Sequence, residues 1–138
     1  MSAENKVLVR RWFEEVWNKG RAAAIDEMLA GNSVVHGLGP QSQGPAEFKQ
    51  FHAAYRNAFP DVTIQIEAMV AEGDVVATRW SGKATHRGDG LGFAATGKTV
   101  RFSGMSFIRI EGGRFVEGWN IFDQLSMLQQ VGVVTLPA

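Results

Sequence analysis

The hydrophobic period of the chain changes at Pro60: before it, apolar residues recur every three or four positions, and after it they alternate. Leu8, Trp12 and Val16 form one row and Val9, Phe13 and Trp17 the next, a stripe wide enough for a core-facing helix that the Asn-Lys-Gly at 18–20 ends. A second, shorter helix is predicted over 21–30, with Ile25, Met28 and Leu29 inward and Gly31 as its stop. Residues 33–37 read as a short strand and 37–45, rich in glycine and proline, as a loop. Pro45 suits the first turn of a third helix, which puts Phe48, Phe51, His52, Tyr55 and Phe59 on one face and closes at Pro60. Val62, Ile64, Ile66, Ala68 and Val70 then alternate with polar residues as a strand. Further strands are predicted over 75–86, 99–110 and 115–123, separated by a tight turn at 72–74, a glycine-rich connection at 87–98 and a turn at 111–114. A last helix starts at Gln124, with Leu125, Leu128 and Val131 inward and Gly132 as terminator, and 133–138 is expected to be a loosely held tail.

Helices first and hairpin-connected strands after predict the α+β class: one domain over 1–138, a curved antiparallel sheet with the helices packed on its concave face. Such a cone encloses an apolar cavity of the kind that binds small molecules. Composition narrows the partners. Lys plus Arg equals Asp plus Glu at 14 each, so no basic excess points to nucleic acid or an anionic membrane. No apolar run is long enough to span a bilayer, and charges interrupt the apolar pattern of the first 17 residues, unlike a signal peptide. A cytoplasmic protein is expected. The chain has no cysteine, which excludes thiol nucleophiles and thiolate metal sites.

The chemistry-bearing residues are few. Asp123 sits between Phe122 and the final helix, and it reads either as the N-cap of that helix or as a carboxylate in an apolar pocket. Burial would make it a stronger base, and the helix dipole would keep it ionised. Alternation puts Phe115, Glu117, Trp119, Ile121 and Asp123 on one strand face, which fits a pocket wall with Trp119 in it. His36 ends a strand before a glycine-rich loop and reads equally as a donor to a substrate carbonyl or as a half-buried structural residue. His86 ends another strand, at the pocket mouth or in a turn. His52, on an apolar helix face, reads as a satisfied core residue. The three histidines form no close ligand pair, so no metal is expected. Trp80 reads as core, and Phe51 and Tyr55 as residues facing the cavity. A formal phosphate-loop match from Gly92 to Thr99 runs into a strand where a helix must begin, and is rejected.

Several short stretches in order, Ala-Phe-Pro-Asp-Val at 58–62, 71–80, Ala-Thr-His-Arg-Gly at 84–88, 95–104 and 113–132, resemble the SnoaL-like polyketide (ester) cyclases of the nuclear transport factor 2-like superfamily. The resemblance covers nearly the whole chain. It implies an α+β barrel and cofactor-free acid/base catalysis of an intramolecular aldol ring closure, with the aspartate that ends the last strand, here Asp123, as base. His36 would assist it, and Trp119, His86, Trp80, Phe51 and Tyr55 would bind a small hydrophobic oxygenated ligand. One departure stands out. Where the family often carries Glu-His-Trp, this chain has Glu117, Gly118 and Trp119. If that histidine faces the pocket, this chain lacks its chemistry; if it faces outward, nothing is lost.

The alternatives on this fold are a non-catalytic ligand-binding module and an epoxide hydrolase or isomerase, the hydrolase needing Asp74 and Arg101 beside Asp123. Apolar residues on both faces of several strands predict a homodimer through the outer sheet face, with Met69, Val100 and Phe102 as candidate contacts.

Overall fold

In the N-terminal helix, α1 (Ser2–Trp12), the predicted stripe buries Val9 and Trp12. The helix runs on through a wider-turned π segment, Phe13–Asn18, that buries Phe13 and Val16. Side chains of a later helix take carbonyls of that segment: His52 Nε2 donates to Val16 O at 2.7 Å and Arg56 Nη1 to Trp17 O at 3.1 Å. This computed structural model describes residues 2–39 and 41–137; Met1, Pro40 in the predicted loop and Ala138 in the predicted tail lie outside the described residues.

Helix α2 (Ala22–Met28) stops earlier than its pattern predicts, and strand β1 (Leu29–His36) starts at once. The reason is tertiary: Leu29 pairs with Phe115 far along the chain, and Gly31 falls inside the strand rather than ending a helix. A two-residue strand, β2 (Ser42–Gln43), precedes α3 (Gly44–Ala58), which has Pro45 in its first turn. The alternating region gives β3 (Thr63–Glu72), β4 (Val75–Thr85), β5 (Thr99–Glu111) and β6 (Arg114–Phe122), then α4 (Gln124–Gln130).

The strands lie in the order β2-β1-β6-β5-β4-β3. Two expectations need correction. The sheet is not wholly antiparallel, because β1 runs parallel to β6; the intervening helix and strands supply the long crossover that a parallel pair needs. Nor does it close into a barrel. It curls, and β2 and β3 remain as separate edges. Register shifts lie between Leu29 and Val34, between Ile66 and Ala68, and opposite Arg109 and Ile110. Such bulges bend strands and accentuate their twist.

The helices cover the concave face, as the sequence predicts. Trp12 packs on Phe48 and Phe115 with ring centroids 5.3 and 5.2 Å away, joining α1, α3 and β6. Burying each such ring contributes about 1.5–3 kcal/mol. At the far end, the Gln130 side chain stands in for the strand that has ended. It accepts from Arg101 N at 2.7 Å and donates to Arg101 O at 2.6 Å, which docks α4 on β5. No helix among the described residues is long and apolar enough to cross a membrane.

Candidate functional site

A cavity of about 90 Å3 lies between the helices and the inner sheet face, room for several waters or one small organic molecule. Its walls are aromatic and aliphatic, with Trp17, Phe51, Tyr55, Trp80, Phe102 and Phe122 among them. Trp80, Phe51 and Tyr55, named from the sequence, are among the lining residues.

One polar row crosses this apolar surface. Cross-strand register sets Thr78 of β4 opposite Ser106 of β5, and Ser106 opposite Asn120 of β6. Trp80 Nε1 donates to Ser106 Oγ at 3.2 Å, Ser106 Oγ donates to Asn120 Oδ1 at 2.7 Å, and Asn120 Nδ2 donates to the His36 carbonyl at 3.2 Å. That last contact depends on Gly37. Its φ is +88°, and a Cβ there would lie 1.7 Å from the Asn120 carbonyl oxygen, so only glycine lets the end of β1 come this close. Ser33, also lining the cavity, is 1% exposed, and its Oγ has no hydrogen-bond partner.

At the cavity wall, Gln124 Nε2 donates to Tyr55 Oη at 3.1 Å. Burial raises the Tyr55 phenol above its ordinary range, against the lowering effect of that hydrogen bond, so the O–H remains a proton-bearing donor. Burial likewise lowers His52, which donates to Val16 O and acts as a structural strut.

Four predicted site residues lie elsewhere. Trp119 faces outward, stacked on His36 at 5.4 Å and edge-on to Phe107 at 5.8 Å. The cause is the bulge: Ile110 pairs with Phe115 and Arg109 with Glu117, so Val116 is an extra residue and the alternation after it is inverted. Phe115, Gly118, Asn120 and Phe122 therefore line the cavity, with Glu117 beside the bulge also reaching it, whereas Trp119 and Ile121 do not. His36 shares Trp119's outer position. Its Nε2 pairs with Glu117 Oε2 at 2.8 Å, and Arg109 Nη2 stands 3.5 Å from Glu117 Oε1. The His36 hydrogen bond, helped by Arg109 and opposed by partial desolvation, holds the Glu117 carboxyl below its ordinary value. His86 is fully buried rather than at the mouth. Thr96 N donates to its Nδ1 at 3.2 Å, which puts the ring proton on Nε2, and Nε2 has no partner.

Asp123 is exposed and caps α4, its Oδ1 accepting from Ser126 N at 3.0 Å. It is not among the cavity-lining residues, although its neighbour Phe122 is, and Gln124 reaches Tyr55. The expected pocket carboxylate is thus a rim residue, because the strand ends at Phe122 and the chain turns there into the helix.

The trio needed for epoxide hydrolysis does not assemble. Asp74 O accepts from Ile110 N at one end of β5 and Arg101 lies near the other, roughly 30 Å away at strand rise. Gly118 faces inward, and a Cβ on it would meet only Asn120 Nδ2, at 3.7 Å. A histidine here would enter the cavity, so this chain lacks that group. Among the described residues no three acidic or histidine side chains converge as a metal site requires. In the glycine-rich 87–98 connection, Gly88 and Gly90 pack so closely on α3 that a Cβ would lie 2.1 Å from Asn57 O and 2.2 Å from Ala54 O, whereas Gly92 and Gly97 lie in open space.

Ser33, Ser106 and Asn120 were missed by the sequence reading. Ser106 carried a signal, as a hydroxyl among Val100, Phe102, Ile108 and Ile110 on the inward set of its strand. The Val116 bulge hid Asn120.

No curated protein matches the chain. Solved structures do. One from Acidithiobacillus ferrooxidans, described as a candidate polyketide cyclase, is 33% identical, with TM-score 0.83 over 95% of this chain and 96% of that one. IdmH from Streptomyces antibioticus, likewise described as a candidate polyketide cyclase, is 27% identical, with TM-score 0.80 over 94% and 99%. AclR from Streptomyces galilaeus, described as a candidate hydroxylase, is 25% identical, with TM-score 0.88 over 100% and 91%. The sequence model of one family matches residues 7–131: this chain, with its curled sheet and helix-covered cavity, belongs to the SnoaL-like polyketide cyclase family.

Proposed function

We propose that the protein takes a small, flat, hydrophobic and oxygenated molecule into its cavity and catalyses a cofactor-free proton transfer leading to ring closure, with Asp123 as the base. The observation that carries this reading is the cavity itself: aromatic walls, one polar row, and a carboxylate one residue past the lining Phe122. Capping uses Oδ1 of Asp123 and leaves Oδ2 with no side-chain or backbone donor among the described residues. A substrate held by the aromatic walls with its acidic carbon at the rim would meet that oxygen. The Tyr55 hydroxyl, on the same side through Gln124, would donate to a second substrate oxygen.

A second reading, a ligand-binding module without turnover, draws on a specific observation: Asp123 is exposed and engaged as a cap, and the one carboxylate that lines the wall, Glu117, is engaged by His36 and Arg109. One experiment separates the two. Polyketide-like esters are screened by thermal shift, since a ligand bound only by the folded state raises its melting temperature, and binders are assayed for conversion with Asp123→Asn and Asp123→Ala. Asparagine keeps most of the capping, so Asp123→Asn is expected to fold normally and lose at least ~10²-fold in rate. Asp123→Ala loses the cap as well, at about 1 kcal/mol. Binding without conversion by the unaltered protein, or conversion that survives Asp123→Asn, would leave Asp123 a helix cap only.

The same proposal includes a homodimer through the outer sheet face, by residues other than those expected. Val100 is buried, Phe102 lines the cavity and Met69 packs on the core, so none of the three faces out. The exposed large apolar residues on the sheet strands are Val70, Met105, Phe107, Trp119 and Ile121.

A further inference from the structure

The hydrogen bonds of the polar row run in one direction and leave one donor unused. The His36 carbonyl can only accept, so the Asn120 atom facing it must be the amide nitrogen, and Oδ1 must face Ser106. The orientation of this amide is therefore fixed by its neighbours. Nδ2 carries two hydrogens, and the His36 carbonyl takes one. The other has no partner among the described residues. It borders the space over Gly118, where a Cβ would meet nothing but Asn120 Nδ2 at 3.7 Å. Ser33 Oγ, on the neighbouring strand and lining the same cavity, is buried and unpartnered as well. Asn120 is half-buried, and an acceptor atom placed against its spare N–H would form a hydrogen bond shielded from water.

We propose that the space over Gly118 is a seat for a carbonyl oxygen, held by the unused hydrogen of Asn120 Nδ2. This deepens the functional proposal and rests on its reading of the cavity as a small-molecule site. It names the ligand class: an aromatic or fused-ring ketone or ester, entered carbonyl first. Asn120 is neutral and Glu117, which also lines the cavity, is a carboxylate, so an anionic ligand headgroup would be desolvated without a countercharge. The Trp80–Ser106 contact makes the seat stiff. Indole and hydroxyl hold the asparagine in one orientation, so little ordering remains to be done when the ligand arrives. Glycine at 118 is the specificity element, because any side chain would occupy the place of the oxygen.

The test uses two probes of one skeleton, 1-tetralone and tetralin, which differ in a single carbonyl. Calorimetric titration of the unaltered protein should show 1-tetralone binding roughly 2–10-fold tighter than tetralin, the range for one net hydrogen bond. In nitrogen–proton spectra the Asn120 side-chain amide should move on adding 1-tetralone and stay with tetralin. Asn120→Leu should abolish the preference while retaining tetralin. Because that change also strips partners from Ser106 and from the His36 carbonyl, Gly118→Ala provides an independent arm. The residue lacks a left-handed φ, its added methyl has ordinary contact distance, and the polar row stays intact. It should melt like the unaltered protein and lose the ketone preference. Equal binding of the two probes, or a preference that survives both variants, overturns the carbonyl seat while leaving the cavity a ligand site. Binding of neither probe overturns both the seat and the small-molecule reading on which it rests.

Discussion

Toward the helices, strands β4, β5 and β6 present Val76, Trp80, Ile108 and Phe122, with the hydroxyl and amide of Ser106 and Asn120 between them. Away from the helices the same strands present Met105, Phe107, Trp119 and Ile121, which are 61%, 48%, 40% and 78% exposed. Each face contains what its solvent should exclude: polar atoms inside, large apolar side chains outside. Inside, the anomaly is resolved in part, by the hydrogen bonds that join Trp80, Ser106, Asn120 and the His36 carbonyl, whereas the Thr78 and Ser33 hydroxyls are left without partners. Outside it is not resolved. Phe107 pairs in register with Trp119 and Met105 with Ile121, so the exposed groups form one patch rather than scattered singles. Departures from the hydrophobic pattern that persist in a folded chain tend to be functional. Here the proposed ligand surface and the proposed subunit surface lie on opposite faces of one sheet.

The comparison breaks most severely on the inner face. Ser106→Ala removes an acceptor from Trp80 Nε1 and a donor from Asn120 Oδ1 in the same step. Each buried group left unpaired costs about 1–3 kcal/mol, so denaturant titration should show a loss of at least ~1 kcal/mol for the removal of one hydroxyl. A loss below a few tenths would mean that the row is solvated and is no fixed scaffold.

The outer face predicts a different response. Ile121→Asp places a charge in the exposed patch without touching the core, so monomer stability should change by no more than ~0.5 kcal/mol. Light scattering should find a dimer for the unaltered protein and a monomer for the variant. A monomeric mass for the unaltered protein at high micromolar concentration would sink the subunit assignment.

How far the sequence foretold these two faces depends on locality. The stripe from Leu8 to Trp17, the boundary at Pro60 and the alternation of β4 and β5 were legible, because each is a repeat within one segment; the alternation of β3 holds only to Ile66, after which a bulge turns Met69 and Ala71 inward and leaves Ala68 and Val70 exposed. The start of β1 at Leu29 was not, since a helical pattern continues through it and only pairing with Phe115 makes it a strand. The largest error had the smallest cause. One extra residue, Val116, inverts the phase of β6, which exchanges Trp119 and Ile121 for Asn120 and Phe122 in the cavity. A bulge leaves no mark in composition or period, because the residues on both sides still alternate. The N-cap reading of Asp123 was available locally, from a carboxylate before a helix; whether it also meets a ligand depends on where the strand ends.

The smallest expected effect lies at the junction of the two faces, in the pair formed by Glu117 and His36. Their side chains remain 27% and 31% exposed, and pairs of this kind contribute little to stability. Their signature is therefore sought in the pH dependence. The His36 hydrogen bond is the main reason the folded Glu117 carboxyl lies below its ordinary value, with Arg109 assisting and desolvation opposing. A carboxyl held low in the folded state binds fewer protons there than in the unfolded chain. Its contribution is then present above the unfolded value and is lost as the pH falls through the folded one. Glu117→Gln keeps the size and an acceptor for His36 but does not titrate. Melting temperatures of the two proteins, measured from about pH 6 down to about pH 3, should differ most at the upper end and converge in acid, with the variant less sensitive to acid throughout. Curves that stay parallel over the whole range would show that the pair seen between β1 and β6 is not formed in solution, and that the outer face carries its apolar patch without a fixed polar border.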